Sequence, residues 1–214
     1  MEKKILYNGG QGEVAEKKSR FIATTYPVKT EEEALKFIGE IKKKYWDARH
    51  NCFAFVCGEN NELQRFSDDG EPGGTAGRPI LEVLLKEGIH DALIVVTRYF
   101  GGVLLGAGGL VRAYSKSAKV GLEASILAVK RKGRVVEIVT SYQDHGKFKN
   151  ALELGRQSVL NTEFTESVSL KLMVEVDKIQ EIEALAANLS NGKAQITIGE
   201  NCWFVAVDDR IELL

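Results

Sequence analysis

The stretch ALIVVTRYFGGVLLGAGGLVRAYSKSAKVG, residues 92–121, is the segment from which the fold of the chain is best predicted. Its first five residues are apolar and predict a buried strand that ends at Arg98 and Tyr99. A cluster of glycines follows, and from Gly109 onward the pattern becomes helical. Because glycine permits positive φ and close backbone approach, the cluster predicts a demanding loop between a strand and a helix. The glycines of this loop are Gly101, Gly102, Gly106, Gly108 and Gly109.

The predicted helix after the loop carries a stripe of positive charge. Arg112, Lys116 and Lys119 are four and three residues apart, which places them on one helical face. A glycine loop that leads into such a helix is a place where an anion can bind. A dinucleotide fingerprint does not fit, because Val111 takes the third glycine position, and the Gly-Lys-Ser/Thr of a Walker loop is absent. A packing corner, an anion or phosphate-backbone site and a catalytic loop all remain open.

The composition is that of an ordinary globular chain. The 214 residues are 44% hydrophobic and 28% charged, with a formal net charge of −1, which excludes a globally basic nucleic-acid binder. Residues 98–134 nevertheless carry eight Lys or Arg against a single acid, Glu123, so the near-neutral total hides one cationic segment. No apolar run approaches the roughly 20 residues that span a bilayer, and the start lacks a signal-peptide core. We therefore expect a cytoplasmic protein that does not contact membranes.

Periodicity divides the chain into two α+β domains, which we place at residues 1–132 and 133–214. In the first domain, strands and helices are predicted at residues 13–28, 30–46, 47–58, 63–66, 75–88 and 92–121. The second is predicted as strand 135–140, helix 144–154 capped by Asp144, strands 158–164 and 168–176, helix 177–190 and strand 194–207. This order, βαββαβ, is typical of a ferredoxin-like split βαβ domain. Residues 123–133 are predicted as a linker with a helical beginning.

An acidic loop precedes the second predicted helix. Asp68, Asp69 and Glu71 place three carboxylates within four positions. A hard cation such as Mg²⁺ uses carboxylate oxygens, although the spacing does not match an EF-hand loop. Asp-Gly also marks an ordinary turn. Salt bridges to Arg98 that hold a cleft are a third interpretation, and the pattern predicts neither a metal nor a cofactor.

The spacing of His50 and Cys52 argues against their acting as a nucleophile and its base. His50 and Cys52 share one face of a strand, but residues two apart lie side by side rather than in relay geometry, and no third orienting group is evident. We expect His50 to hydrogen-bond near the acidic loop. Tyr99 stands beside Arg98, where it can stack on a base or finish a core. The cysteines form no CxxC pair and are expected to be free buried thiols. They are Cys52, Cys57 and Cys202.

Four segments resemble the signature of the IMPACT family, in its bacterial YigZ-type members. The resemblance extends over the full length, because members of this kind carry a second small domain where this chain has its βαββαβ segment. The segments are KKSRFIA at 17–23, ARHNCFAF at 48–55, SDDGEPGGTAGRP at 67–79 and VTRYFGGVLLGAGGLVRAYSKSA at 96–118.

The resemblance implies a fold more firmly than a function. The first domain, a two-layer arrangement containing a βαβ unit, is expected to be similar to the second domain of ribosomal protein S-five. The ferredoxin-like second domain is expected to be similar to the last domain of elongation factor G. Eukaryotic relatives regulate translation by binding the activator of the starvation-responsive initiation-factor kinase, whereas bacterial members have no settled activity. The family pattern implies a surface site at Arg20, His50, Asp68, Asp69, Glu71, Arg98 and Tyr99.

The leading hypothesis is a translation-associated binding or regulatory protein without enzymatic activity. It would contact RNA, the ribosome or a translation-regulatory protein, with Arg112, Lys116 and Lys119 on phosphates. The alternative is a metal-dependent hydrolase of small molecules or peptides that uses the acidic loop and His50, and a pure protein-protein adaptor is a third class. The hydrolase needs the acidic carboxylates to converge on a solvent-filled cleft rather than to pair in the interior.

Overall fold

The computed structural model describes residues 3–207 and 210–214. The chain divides into two compact units, Met1–Val129 and Lys130–Leu214. Both units mix helices and strands, so the predicted α+β class is confirmed. In the described part of the chain, no helix is long and apolar enough to cross a membrane.

The first unit is built on a sheet whose central strand is formed by Ala92–Tyr99. Its elements are, in chain order, β1 (Lys3–Asn8), β2 (Gln11–Glu16), β3 (Ser19–Pro27), α1 (Glu31–Lys44), β4 (His50–Cys57), β5 (Leu63–Ser67), α2 (Gly77–Lys86), β6 (Ile89–His90), β7 (Ala92–Tyr99) and α3 (Ala107–Glu123). The sheet has the order β2-β3-β7-β4-β5, with antiparallel neighbours throughout. β1 and β6 pair in parallel with each other.

The helices of the first unit cover both faces of this sheet. Ile94 and Val96 of β7 join the core under α2 and α3, whereas Leu93 and Val95 join the core under α1. This unit therefore has three layers, α1, the sheet, and α2 with α3, where the resemblance implied two. The physical reason is that β7 is apolar on both faces, so each face needs a cover. All of β7 from Ala92 to Arg98 is buried as a result.

The ends of α1 follow from its sequence. The Thr30 hydroxyl accepts a hydrogen bond from the Glu33 amide at 3.2 Å and so caps the start of the helix. The Glu33 carboxylate reaches back to the Lys29 amide at 2.7 Å, one residue earlier than in a standard capping box. Three lysines occupy the last turn, where cations favour the helix dipole.

The second unit has the predicted ferredoxin-like order. Its elements are the greater part of β8 (Ile126–Thr140), then α4 (Tyr142–Leu154), β9 (Ser158–Phe164), β10 (Val168–Glu175), α5 (Ile179–Ser190), β11 (Gln195–Val207) and β12 (Arg210–Leu213). The strands run in the order β9-β10-β8-β11, antiparallel at each step, and β12 extends the sheet beyond β11. Phe148 and Leu152 of α4 and Ile182 of α5 are buried in its core.

Two predictions in this region are wrong. Residues 126–133 belong to β8 rather than to a linker, because Trp203 of β11 lies opposite Lys132 and its ring contacts both the Lys130 and Lys132 ammonium groups, at 4.7 and 5.0 Å. The charges that suggested a linker thus stack on an aromatic partner. The cap of α4 is Ser141, whose hydroxyl accepts from the Asp144 amide at 3.2 Å.

We predict that Gly101→Ala destabilises the first unit by about 1–3 kcal/mol, because the new methyl group has to displace main chain rather than a flexible side chain. A Cβ at Gly101 would meet the backbone of Lys18 and Ser19. The free energy of unfolding in urea measures this cost. Gly73→Ala is the matched control, since no described atom lies within 4 Å of its Cβ position. Equal free energies of unfolding for the two variants would contradict the close approach of Gly101 to the backbone of Lys18 and Ser19.

Candidate functional site

Asp68 supplies the cap of α2 from the acidic loop. Its carboxylate accepts hydrogen bonds from the amides of Gly74, Ala76 and Gly77 at 2.8, 3.0 and 2.8 Å. These amides lie at and before the first turn of α2, where backbone donors lack helical partners and an anion is favoured. Both carboxylate oxygens of Asp68 are thereby engaged with the main chain.

Asp69 fastens the loop to β4 and α1. One carboxylate oxygen accepts from the Asn51 amide at 2.7 Å and the other from the Lys42 ammonium at 2.7 Å. The Asp69 carbonyl lies 2.9 Å from Nδ1 of His50, so that ring nitrogen carries the donated proton. Asp69 and Gly70 both have positive φ, 43° and 86°, as a tight Asp-Gly turn requires. His50 therefore bonds to the acidic loop, as predicted.

Glu71 turns inward and forms a buried ion pair. Its Oε1 accepts from Nη1 of Arg98 at 2.6 Å and from the Tyr114 hydroxyl at 2.8 Å. The side chains of Glu71 and Arg98 are only 4% and 6% exposed. This carboxylate thus connects the acidic loop to β7 and α3 through charge-assisted hydrogen bonds.

The Arg98 guanidinium is enclosed on several sides. Its carbon lies 5.3 Å from the centre of the Phe21 ring and 5.5 Å from that of Phe100, within the range of a cation-π contact. Nη2 reaches the Ser19 hydroxyl at 3.4 Å. The buried Nε has no hydrogen-bond partner among the described residues. Arg98 therefore retains one unmatched donor.

Cys52 and Tyr114 are not activated groups. The Cys52 thiol donates to the Asp68 carbonyl at 3.0 Å, and its sulfur lies 3.3 Å from the Tyr114 hydroxyl. Burial raises the pKa of Cys52 to about 12, and burial likewise raises the pKa of Tyr114 far above its usual range. A thiol that stays protonated at neutral pH is a poor nucleophile. The sequence argument against a Cys-His nucleophile thus gains a second ground.

The acidic loop does not present a metal site in this structure. Asp68 faces backbone amides, Asp69 faces Lys42 and Asn51, and Glu71 faces Arg98. Within residues 3–207 and 210–214, no three His, Cys, Asp or Glu side chains are grouped so as to hold a metal ion. The donor set that the hydrolase hypothesis requires is therefore committed to other partners.

Arg20 and Tyr99 lie on the surface, outside the buried network. They stand opposite each other in the β3–β7 register, with the Arg20 guanidinium 6.0 Å from the Tyr99 ring centre. Arg20 pairs with Glu13 at 2.7 Å, and the Tyr99 hydroxyl donates to Asp47 at 2.8 Å. The residues of the implied surface site are thus divided between an exposed pair and an interior network.

The cationic stripe of α3 is defined as Arg112, Lys116 and Lys119. All three side chains are exposed, because the opposite side of the helix buries Leu110 and Tyr114 against the sheet. Among the described residues, no ion pair engages any member of the stripe. The stripe is therefore open to an anionic partner.

A cavity of about 350 Å³ lies between β7 and the start of α3, and the glycine loop forms part of its wall. His50, Glu71 and Arg98 line it, as do Arg49 and Leu104, which the sequence did not single out as site residues. Arg49 directly precedes His50, and Leu104 stands among the loop glycines, so both were within the signature segments. Sequence position alone did not show that they face one space.

The comparisons define a class that agrees with this architecture. The Impact N-terminal domain matches residues 17–122, and DUF1949, a domain of unknown function, matches residues 138–193. A crystal structure described as that of a hypothetical protein superposes with a TM-score of 0.59 at 31% identity, covering 91% of this chain and 96% of that one. The chain is thus a two-domain protein of the Impact N-terminal type.

Two relatives narrow this class of protein to one family. IMPACT family member YvyE of Bacillus subtilis is 43% identical over 89% of this chain and 88% of that protein. IMPACT family member YigZ of Escherichia coli is 36% identical over 84% of this chain and 89% of that protein. The chain belongs to the IMPACT family, which confirms the resemblance found in the sequence.

We predict that Glu71→Gln lowers the free energy of unfolding by about 3–5 kcal/mol, because it leaves the buried Arg98 charge without its counter-charge. Denaturant titration measures the loss. Glu13→Gln is the matched control, since it removes the carboxylate of an exposed arginine pair and should leave stability nearly unchanged. Similar losses of unfolding free energy for both variants would contradict a larger contribution of the buried Glu71–Arg98 pair than of the exposed Glu13–Arg20 pair.

We predict that Cys52 resists iodoacetamide in the folded protein at pH 8. Alkylation follows the thiolate, and a thiol of pKa about 12 forms almost none at that pH. Mass spectrometry of the peptides should show Cys52 modified after unfolding, or as the pH approaches 12. The partly exposed Cys202 serves as the internal control. Labelling of folded Cys52 at the rate seen in denaturant would contradict its burial.

Proposed function

We propose that this protein is a non-enzymatic, translation-associated factor of the cytoplasm that binds RNA through the cationic stripe of α3. The single observation that carries the proposal is the contrast between two charged groups. The carboxylates of the acidic loop form hydrogen bonds and ion pairs within the protein. In contrast, Arg112, Lys116 and Lys119 are exposed and without ion pairs among the described residues. The available charge of this surface is therefore positive.

The geometry of the stripe fits a phosphate backbone. From Arg112 to Lys119 the helix rises roughly 10 Å, at 1.5 Å per residue. The first turn of α3 contains no acidic residue, and Glu123 at its end is the first acid after Asp91. Exposed cations on a rigid helix attract polyanions with little reorganisation.

Family membership supports the association with translation. The resemblance to IMPACT proteins implies a translational role through their eukaryotic members, and the implied fold relatives are components of the ribosome or its factors. Fold analogy alone does not establish a function, so the proposal depends on the stripe as well. The pairing of the acidic loop speaks against the hydrolase alternative, because metal binding would have to break the cap of α2 and the Glu71–Arg98 ion pair.

We predict that the triple reversal Arg112→Glu, Lys116→Glu and Lys119→Glu weakens binding to single-stranded RNA and to ribosomes by at least about tenfold at moderate salt. Fluorescence anisotropy with a labelled uridine oligonucleotide and ribosome sedimentation measure the two affinities. For the unaltered protein, the logarithm of the affinity should fall with the logarithm of the salt concentration with a slope of about −0.7 per phosphate contact.

The control is the triple reversal Lys29→Glu, Lys36→Glu and Lys43→Glu, which makes the same change in net charge at exposed lysines in or next to α1, the helix on the other face of the sheet. Its RNA affinity should fall much less than that of the α3 variant. Equal losses would mean that net charge, rather than the stripe, governs binding. If both variants still sediment with ribosomes after nuclease treatment, the protein acts as a protein-protein adaptor instead.

A further inference from the structure

The cavity beside α3 has a polar end and an apolar wall. The polar lining residues, called the polar end, include Arg49, His50 and Arg98, and Ala107, the first residue of α3, lines the cavity as well. Phe100, Leu104, Leu105 and Leu110 form the apolar wall. Its volume, about 350 Å³, is within the range of small-ligand pockets.

The start of α3 offers backbone donors to this cavity. α3 is 17 residues long, its N-cap is Gly106 with φ 72°, and no side chain of the described residues caps it. The first amides of a helix have no partner within the helix and carry the positive end of its dipole. No described atom lies within 4 Å of a Cβ position at Gly102 or Gly106, so the approach to these amides is open.

Arg98 is the second, independent pointer to a ligand. It is 5% exposed, it lines the cavity, and its buried Nε has no hydrogen-bond partner among the described residues. A buried donor without an acceptor is costly, so Arg98 keeps an unmet hydrogen-bonding demand in the wall of the cavity.

The charges at the polar end favour an anion. Glu71 also lines the cavity, but its charge is matched by the buried pair with Arg98. Arg49 is exposed, and no ion pair engages it within residues 3–207 and 210–214. Helix amides together with arginine supply several donors around one centre, which suits the oxygens of a phosphate group.

The apolar wall indicates what the phosphate is attached to. Leu104 is 83% exposed, and Phe100 is 52% exposed even with the Arg98 guanidinium 5.5 Å from its ring centre. Both side chains therefore leave apolar surface in water, which is unfavourable. A flat aromatic group can cover the Phe100 face by stacking and Leu104 by apolar contact.

We propose that this cavity binds a small phosphate monoester with an aromatic base, of the nucleoside monophosphate class. The phosphate lies at the start of α3 near Arg49 and Arg98, and the base lies against Phe100 and Leu104. The proposal goes beyond RNA binding at the stripe and does not depend on it, because Arg112, Lys116 and Lys119 do not line the cavity. The same chemistry is present in a free nucleotide and in the 5′-phosphate end of an RNA.

Calorimetric titration of the full chain with AMP, with adenosine and with inorganic phosphate tests the proposal. AMP should bind with a dissociation constant below about 1 mM, and at least about tenfold more tightly than either of its parts. Arg49→Glu and Ala107→Asp should each weaken AMP binding by at least about tenfold, since each places a carboxylate near the phosphate position. Both residues are exposed, and an acid in the first turn of a helix favours folding.

Arg78→Glu is the matched control, since it reverses an exposed arginine of α2 outside the cavity and should leave AMP affinity unchanged. Absence of AMP binding at millimolar concentration would overturn the proposal. Equal affinity for adenosine and AMP, or unchanged affinity in both cavity variants, would overturn it as well. Competition of AMP by an oligonucleotide with a 5′-phosphate, but not with a 5′-hydroxyl, would assign the site to RNA ends. Lack of competition by either would assign it to free nucleotides.

Discussion

The structure of the first unit depends on one buried charge pair, Glu71 with Arg98. A single carboxylate oxygen accepts from Arg98 and from Tyr114, so one group joins the acidic loop, the central strand β7 and α3. Desolvation of two charges costs several kcal/mol each, and such a pair persists only where geometry and further hydrogen bonds offset that cost. The Tyr114 hydroxyl and the stacked rings of Phe21 and Phe100 meet this condition. The loop conformation is fixed as a consequence.

This pairing separates the two signs of charge in the first unit. The carboxylates of the acidic loop are directed at amides, Lys42 and Arg98, so they build the fold rather than a reactive centre. The cations of α3 stay outside, and the cavity at its N-terminus keeps Arg49 and one N–H of Arg98 unmatched among the described residues. The surface that remains is suited to phosphate groups, whether along a chain or singly.

Local patterns in the sequence predicted the regular elements well. The apolar run of β7 and the βαββαβ order each follow from neighbours in the chain. The short strands β1 and β6 were missed, because they pair with each other across more than 80 residues of sequence. The strand β12 was missed although its partner β11 directly precedes it, because its own pattern is brief. The charged start of β8 was interpreted as a linker, since its partner Trp203 lies about 70 residues later.

The candidate site was harder to predict than the fold. Sequence reasoning named Asp68, Asp69 and Glu71 as one cluster, but their partners come from separate elements and are visible only after folding. The third interpretation of the acidic loop, salt bridges to Arg98, agrees with the structure for Glu71. Arg49 carried no local signal, because its role arises from the cavity that distant segments enclose.

A double-mutant cycle between Glu71 and Arg98 tests the central claim most directly. The free energies of unfolding of Glu71→Leu, Arg98→Met and the double variant are compared with that of the unaltered chain. If the pair organises the first unit, the double variant is more stable than the sum of the single losses predicts, with a coupling energy above about 1 kcal/mol. Losses that add to within about 0.5 kcal/mol would contradict the account, because independent residues behave in that way.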